Sequence, residues 1–94
     1  MSKNRSHRLK VSKSLYHVYA TLVDEQSNIL AESSTLLMKF KQANVKNCFE
    51  VGQDIGRKCK ELNIDSISFD RNGMLYHGRI KSIADGARDV GLEF

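Results

Sequence analysis

The chain has 94 residues, 40% of them hydrophobic and 28% charged, and a formal net charge of +4. That is enough for one small domain with one core, and its composition is that of a globular chain, not a disordered one. No apolar run approaches the roughly 20 residues of a membrane span, and no signal-type apolar region follows the polar start. Membrane insertion and export are therefore not expected, and the two cysteines, Cys48 and Cys59, are too few for a disulfide framework and suit a reducing, cytoplasmic setting.

The positive charge is concentrated in an arm. Residues 1–13 hold Lys3, Arg5, Arg8, Lys10 and Lys13 with no acid, and without these five cations the chain would fall one charge below neutral. We divide the chain into a basic arm, residues 1–8, and a single α/β domain, residues 9–94. An amphipathic membrane anchor would need bulky apolar residues opposite the cations, and Met1 to His7 offers none beyond the initiator methionine. Polyphosphate is the better match, with a frayed, solvated terminus as the plain alternative.

In chain order, Leu9 and Val11 alternate with Lys10 and Ser12, predicting a first strand. Tyr16 to Val23, rich in aromatic and β-branched residues, predicts a second. Its Val18, Ala20 and Leu22 share one face, and His17, Tyr19 and Thr21 the other. Asp24 to Asn28 reads as a polar hairpin loop, and Ile29 to Thr35 returns as a third strand. The period then changes: Val45, Cys48, Gly52, Ile55, Cys59 and Leu62 recur every three or four residues, as on an amphipathic helix. Asn44 can cap its start, with an Asn47/Glu50 capping box as a later alternative, and Asn63 suits a left-handed stop. The cysteines lie eleven residues apart on this stripe, roughly 16 Å along a helix axis, too far for a disulfide.

Ile64 to Phe69 predicts a fourth strand, which a crossover helix places parallel to a neighbour. Asp70-Arg71-Asn72-Gly73 is a turn signal. Gly78 opens a second helix buried through Ile80, Ile83, Ala84, Ala87 and Val90, with Gly91 at its stop and Leu92 packing after it. The order is β-β-β-α-β-α: a mixed four-stranded sheet packed with two helices. If both helices cover one face, His17, Tyr19 and Thr21 line a bare surface suited to RNA phosphates, 2′-hydroxyls and unpaired bases. A half-solvated sheet without any ligand fits the same pattern.

Two further arrangements were weighed. Arg71, His77 and Arg79 can converge with Gly78 on a phosphate at the start of the second helix. A two-metal nuclease would need converging carboxylates. Asp24 and Asp70 are the candidates, but Lys10 and Ser12 occupy strand one where a ligand would help. His7, His17 and His77 have no zinc-ligand spacing. No nucleophile–base motif or phosphate-cradling loop is present, so no catalytic residue, metal site, cofactor or small-molecule substrate is expected.

Arg8-Leu9-Lys10-Val11, His17-Val18-Tyr19-Ala20, Ser34-Thr35-Leu36, Phe69-Asp70-Arg71, Tyr76-His77-Gly78-Arg79, Ala84-Asp85-Gly86-Ala87-Arg88 and Gly91-Leu92-Glu93-Phe94 occur in this order. They closely resemble the bacterial-type ribosomal protein L18 family from Arg8 to Phe94. The resemblance implies a ribonuclease H-like motif of the translational-machinery type without nuclease activity. It implies binding of 5S rRNA, its attachment to 23S rRNA in the central protuberance, and neighbouring 5S-binding proteins of a bacterial or organelle-type large subunit. Carried over by motif, Lys10, Ser12, Lys13, Ser14, His17, Tyr19 and Thr21 would meet RNA from the first two strands. Ser34 and Thr35 would do so from the third, and Arg71, Tyr76, His77, Gly78 and Arg79 from the turn before the second helix, with Lys3, Arg5 and Arg8 adding charge from the arm. The sequence departs from the family in a shorter arginine-rich start, a missing proline before strand one, and Asn63 where glycine is usual. A metal-dependent nuclease and a stand-alone RNA chaperone are the alternatives.

Overall fold

The computed structural model describes residues 7–71, 73 and 78–94. Strands β1 (Arg8–Lys13), β2 (Val18–Val23) and β3 (Ile29–Ser34) form an antiparallel meander. Asp24 closes the β2–β3 hairpin: its Oδ1 accepts from the Gln26 and Asn28 amides at 2.9 Å each. Ser27 takes the left-handed conformation at φ 67°. Helix α1 (Val45–Glu61) then crosses to β4 (Ser68–Asp70), which pairs in parallel with β1, giving the sheet order β3-β2-β1-β4. Helix α2 (Arg79–Asp89) completes the expected β-β-β-α-β-α order.

The local signals operate as expected. Asn44 Oδ1 accepts from the Asn47 amide at 2.8 Å, so the earlier cap is used and the Asn47/Glu50 box is not. At the end of α1 the Ile64 amide donates to the Cys59 carbonyl and the Asn63 amide to that of Lys60, 2.9 Å each, with Asn63 at φ 63°. Helix α2 closes the same way through Gly91, at φ 102°, and the Leu92 amide bonded to Ala87. Both ends are the paired-bond stop that a left-handed residue permits.

Both helices lie on one face of the sheet. Leu9, Val11, Val18, Ala20 and Leu22 point into the core against Cys48, Val51, Ile55 and Cys59 of α1 and Ile80, Ile83 and Ala87 of α2. Each large side chain buried there contributes roughly 1.5–3 kcal/mol. Cys48 and Cys59 are free and buried, and burial pushes both thiols up to about 11.

Helices α1 and α2 run side by side, in the same direction, through glycines. A Cβ on Gly52 would stand 2.0 Å from the Ile83 carbonyl oxygen, and one on Gly86 2.1 Å from that of Phe49. This close crossing buries Gly56, Ser82 and Gly86, which the apolar stripes did not include. The stripe's ends are corrected as well: Val45 is 56% exposed and Leu62 47%, and the buried stripe of α1 runs from Cys48 to Cys59.

Strand β4 is shorter than the expected Ile64–Phe69. The preceding segment pairs instead with the chain after α2: Ser66 bridges Glu93, the Ile67 amide donates to the Glu93 carbonyl at 3.0 Å, and the Glu93 amide to that of Asp65 at 2.8 Å. Phe94 stacks on Phe69 at 5.5 Å, and the Arg88 guanidinium lies 4.3 Å above its ring. Strand β2 starts at Val18, leaving Tyr16 exposed on the β1–β2 hairpin.

Candidate nucleic-acid interface

With both helices on one side, no described element packs over the other face of the sheet. The strand register sets its side chains in rows. Ser12 of β1 stands opposite Tyr19 of β2. Lys10 stands between Thr21 of β2 and Asp70 of β4, and Arg8 between Val23 and Ser68. Lys10 and Ser12 are exposed, and Tyr19 and Thr21 half-buried. A shallow depression of about 350 Å³ lies on this face, lined by Lys10, Val11, Ser12, Thr21, Val23, Ser27 and Ile29. Residues expected from alternation thus share one accessible surface, with hydroxyls, a phenol and an ammonium side by side. Such groups bond phosphate and sugar oxygens, and the ring offers a stacking plane.

At the hairpin end of the strands Lys13 and Ser14 are exposed, Lys13 on the side of Leu9 and Val11, and the Ser14 hydroxyl approaches the Tyr19 phenol at 3.5 Å. His17 is half-buried, with its Nδ1 2.8 Å from Thr35 Oγ1. Arg8 reaches Asp70 at 4.0 Å. Arg71 and Gly78 are exposed; Gly78 precedes α2 at φ 57° and its carbonyl accepts from the Ser82 amide. Arg79 is exposed and donates to the Ala43 carbonyl at 3.5 Å. Lys3, Arg5, Tyr76 and His77 lie outside the described residues, so the expected phosphate cluster is represented by Arg71, Gly78 and Arg79 alone.

Two expected contacts need correction. Ser34 and Thr35 are 1% and 0% exposed. Ser34 Oγ accepts from the Leu37 amide at 2.9 Å, starting a helical turn that ends at Lys39, φ 64°. Thr35 Oγ1 accepts from the Val18 amide at 3.1 Å. Their hydroxyls are committed to the protein's own backbone and hold the end of β3 instead of facing a ligand.

The reading of the basic character as an arm is also incomplete. Three segments meet at the hairpin end: 13–17 with Thr35, and the starts of α1 and α2, joined through Arg79 to Ala43 and by the Ser82 hydroxyl, which donates to the Val45 carbonyl at 2.6 Å. Residues 13–17, 35–47 and 78–84 contain Lys13, Lys39, Lys41, Lys46, Arg79 and Lys81 and no aspartate or glutamate. Of these, Lys81 pairs with Asp85 at 2.8 Å. The opposite end mixes Asp24, Glu25, Glu61, Asp65 and Glu93 with Arg8, Lys58, Lys60 and Arg88, Lys60 pairing with Asp65 at 3.1 Å. In a nearly neutral body the hairpin end therefore stands out as positive. Lys39, Lys41 and Lys46 are not among the residues expected from the sequence, which drew attention to the cations of residues 1–13. The acid-free run 35–47 was the available signal.

The carboxylates of the nuclease alternative are otherwise engaged. Asp24 spends both oxygens on the hairpin, Oδ2 accepting from Asn28 Nδ2 at 3.2 Å. Hydrogen bonding, led by the Asn28 amide, holds its carboxyl below the usual value. Asp70 sits beside Lys10 and Arg8. Among the described residues no group of three histidines, cysteines or carboxylates stands together as a metal cluster.

Comparison with known proteins supplies the remaining evidence. Residues 1–94 match the family described as "Ribosomal L18 of archaea, bacteria, mitoch. and chloroplast". The chain is 50% identical over 93 residues to the large ribosomal subunit protein uL18 of Oleidesulfovibrio alaskensis, spanning 93% of this chain and 78% of that protein. It is 48% identical over 92 residues to that of Nitratidesulfovibrio vulgaris, spanning 93% and 77%. Against that of Malacoplasma penetrans it is 41% identical over 88 residues, spanning 93% and 74%.

Proposed function

The chain belongs to the ribosomal L18 family, a structural and non-catalytic constituent of the large ribosomal subunit, and from that premise we propose that it binds 5S rRNA and helps attach it to 23S rRNA in the central protuberance. The observation that carries this reading is the uncovered sheet face, where Lys10, Ser12, Tyr19 and Thr21 stand together. Its mixture of one cation with hydroxyls and a phenol suits shape-dependent contact with a folded RNA more than bulk attraction. The acid-free hairpin end, with Lys13, Lys39, Lys41, Lys46 and Arg79, supports a second phosphate contact. A basic arm over residues 1–8 adds charge at the other end of β1, and neighbouring 5S-binding proteins of the subunit complete the partners.

Competition filter binding tests this. Labelled 5S rRNA held by the protein should be displaced by unlabelled 5S rRNA and far less by tRNA or a generic duplex. Equal displacement by all three would reduce the protein to a non-specific polyanion binder, the behaviour expected of an RNA chaperone. The same RNA incubated with protein and Mg²⁺ or Mn²⁺ should remain intact.

A further inference from the structure

Thr35 directs its hydroxyl at two consecutive residues, His17 and Val18, where the chain enters β2. Its backbone amide donates to the Val18 carbonyl at 3.1 Å, and its Oγ1 accepts from the Val18 amide at 3.1 Å. The same oxygen lies 2.8 Å from His17 Nδ1. The Ser14 amide donates to the His17 carbonyl at 2.8 Å, so the histidine's backbone is held from the other side as well.

A hydroxyl carries one hydrogen to donate and accepts through its lone pairs. The Val18 amide occupies one of those lone pairs. The hydrogen, on a residue fully shielded from solvent, needs an acceptor, because an orphaned buried donor is strongly disfavoured. Among the described residues, Thr35 Oγ1 has no partner besides the Val18 amide and His17 Nδ1. Were Nδ1 protonated, it and the Val18 amide would fill the two lone pairs of Oγ1, and the buried hydroxyl hydrogen would be left without an acceptor among the described residues.

We infer that Thr35 donates to His17 Nδ1, locks the imidazole in its Nε2–H tautomer, and so presents His17 to RNA as an oriented hydrogen-bond donor. The part that concerns RNA rests on the function proposed above; the tautomer does not. Nε2 lies across the ring from the buried hydroxyl, on a half-buried residue in the β1–β2 hairpin. A donor of this kind takes an acceptor: a phosphate oxygen, a ribose oxygen or a base acceptor atom. It refuses an exocyclic amino group, which a freely tautomerising histidine would accept. Thr35 is thus a positioning residue, which accounts for a family-motif threonine that never reaches the surface.

Long-range ¹H–¹⁵N correlation spectra of the free protein at pH 8 read the tautomer directly. His17 should show an unprotonated Nδ1 and a protonated Nε2. Thr35→Ser should keep that pattern, and Thr35→Val should return the ring toward the averaged pattern of a free imidazole. A protonated Nδ1 or an averaged pattern in the wild-type protein, which needs no variant to fold, overturns the assignment. In filter binding, His17→Phe should lose roughly threefold to tenfold in affinity for 5S rRNA, the loss of one neutral hydrogen bond. The slope of log K against log salt should stay unchanged, since an uncharged donor releases no counterion. Full affinity in His17→Phe, with the wild type binding normally, refutes the donor role alone. Failure of the wild type to prefer 5S rRNA refutes the function while leaving the tautomer intact.

Discussion

Gly86→Ala probes the contact that joins the two helices. The new Cβ would stand 2.1 Å from the Phe49 carbonyl oxygen, 2.9 Å from the Gln53 nitrogen and 3.1 Å from the Gly52 Cα. Carbon–oxygen contacts settle near 3.3 Å or more, so relief requires the helices to part by on the order of 1 Å. All three obstacles are backbone, and no rotamer change relieves them. A gap of that size forfeits a quarter to a half of the dispersion energy across the seam, which places the overpacking loss near the upper end of its usual range, about 3 kcal/mol. Alanine returns about 1 kcal/mol as a better helix former. The net expectation is a loss of about 2 kcal/mol, or a Tm lower by on the order of 10 °C for a domain of this size. Urea unfolding followed by far-UV circular dichroism measures it, with Arg57→Ala on the exposed face of α1 as a control that should stay within about 0.5 kcal/mol. A Gly86→Ala protein as stable as wild type would show that the helices do not meet backbone to backbone.

Three other outcomes are expected. Ser33 Oγ is buried on the core face with no hydrogen-bond partner among the described residues, so Ser33→Ala should raise the unfolding midpoint by about 1 kcal/mol in stability; a drop would mean the hydroxyl is satisfied after all. Replacing Lys39, Lys41 and Lys46 together by Gln should flatten the salt dependence of RNA binding by up to about 0.9 log units per lost duplex phosphate contact, with thermal stability preserved. An unchanged slope would remove the hairpin end from the interface. Burial raises Cys48 and Cys59 from 9.0 to about 11. Below pH 9 both states hold these protons; above it only the unfolded chain releases them, so this contribution to stability is progressively lost between pH 9 and 11. A thiol-specific reagent at pH 8 should label neither cysteine until urea unfolds the chain, and rapid native labelling would contradict the burial.

The sequence determined what neighbours along the chain can settle. Asn44, Asn63 and Gly91 act within one turn of a helix, Asp24 closes its own hairpin, and two-residue alternation separates Leu9 and Val11 from Lys10 and Ser12 whatever packs above them. Recognition of the family followed from short motifs for the same reason. Tertiary structure decided everything that depends on where distant segments meet. Ser34 and Thr35 look like surface hydroxyls until the turn after β3 folds back on Val18. Gly56 and Gly86 lie off the two stripes until the helices cross there. Lys39 looks balanced by Asp24 and Glu25 until β3 carries it away from their hairpin. Backbone propensity and capping are short-ranged, whereas burial, close approach and the electric field are sums over the assembled molecule, which no stretch of sequence contains by itself.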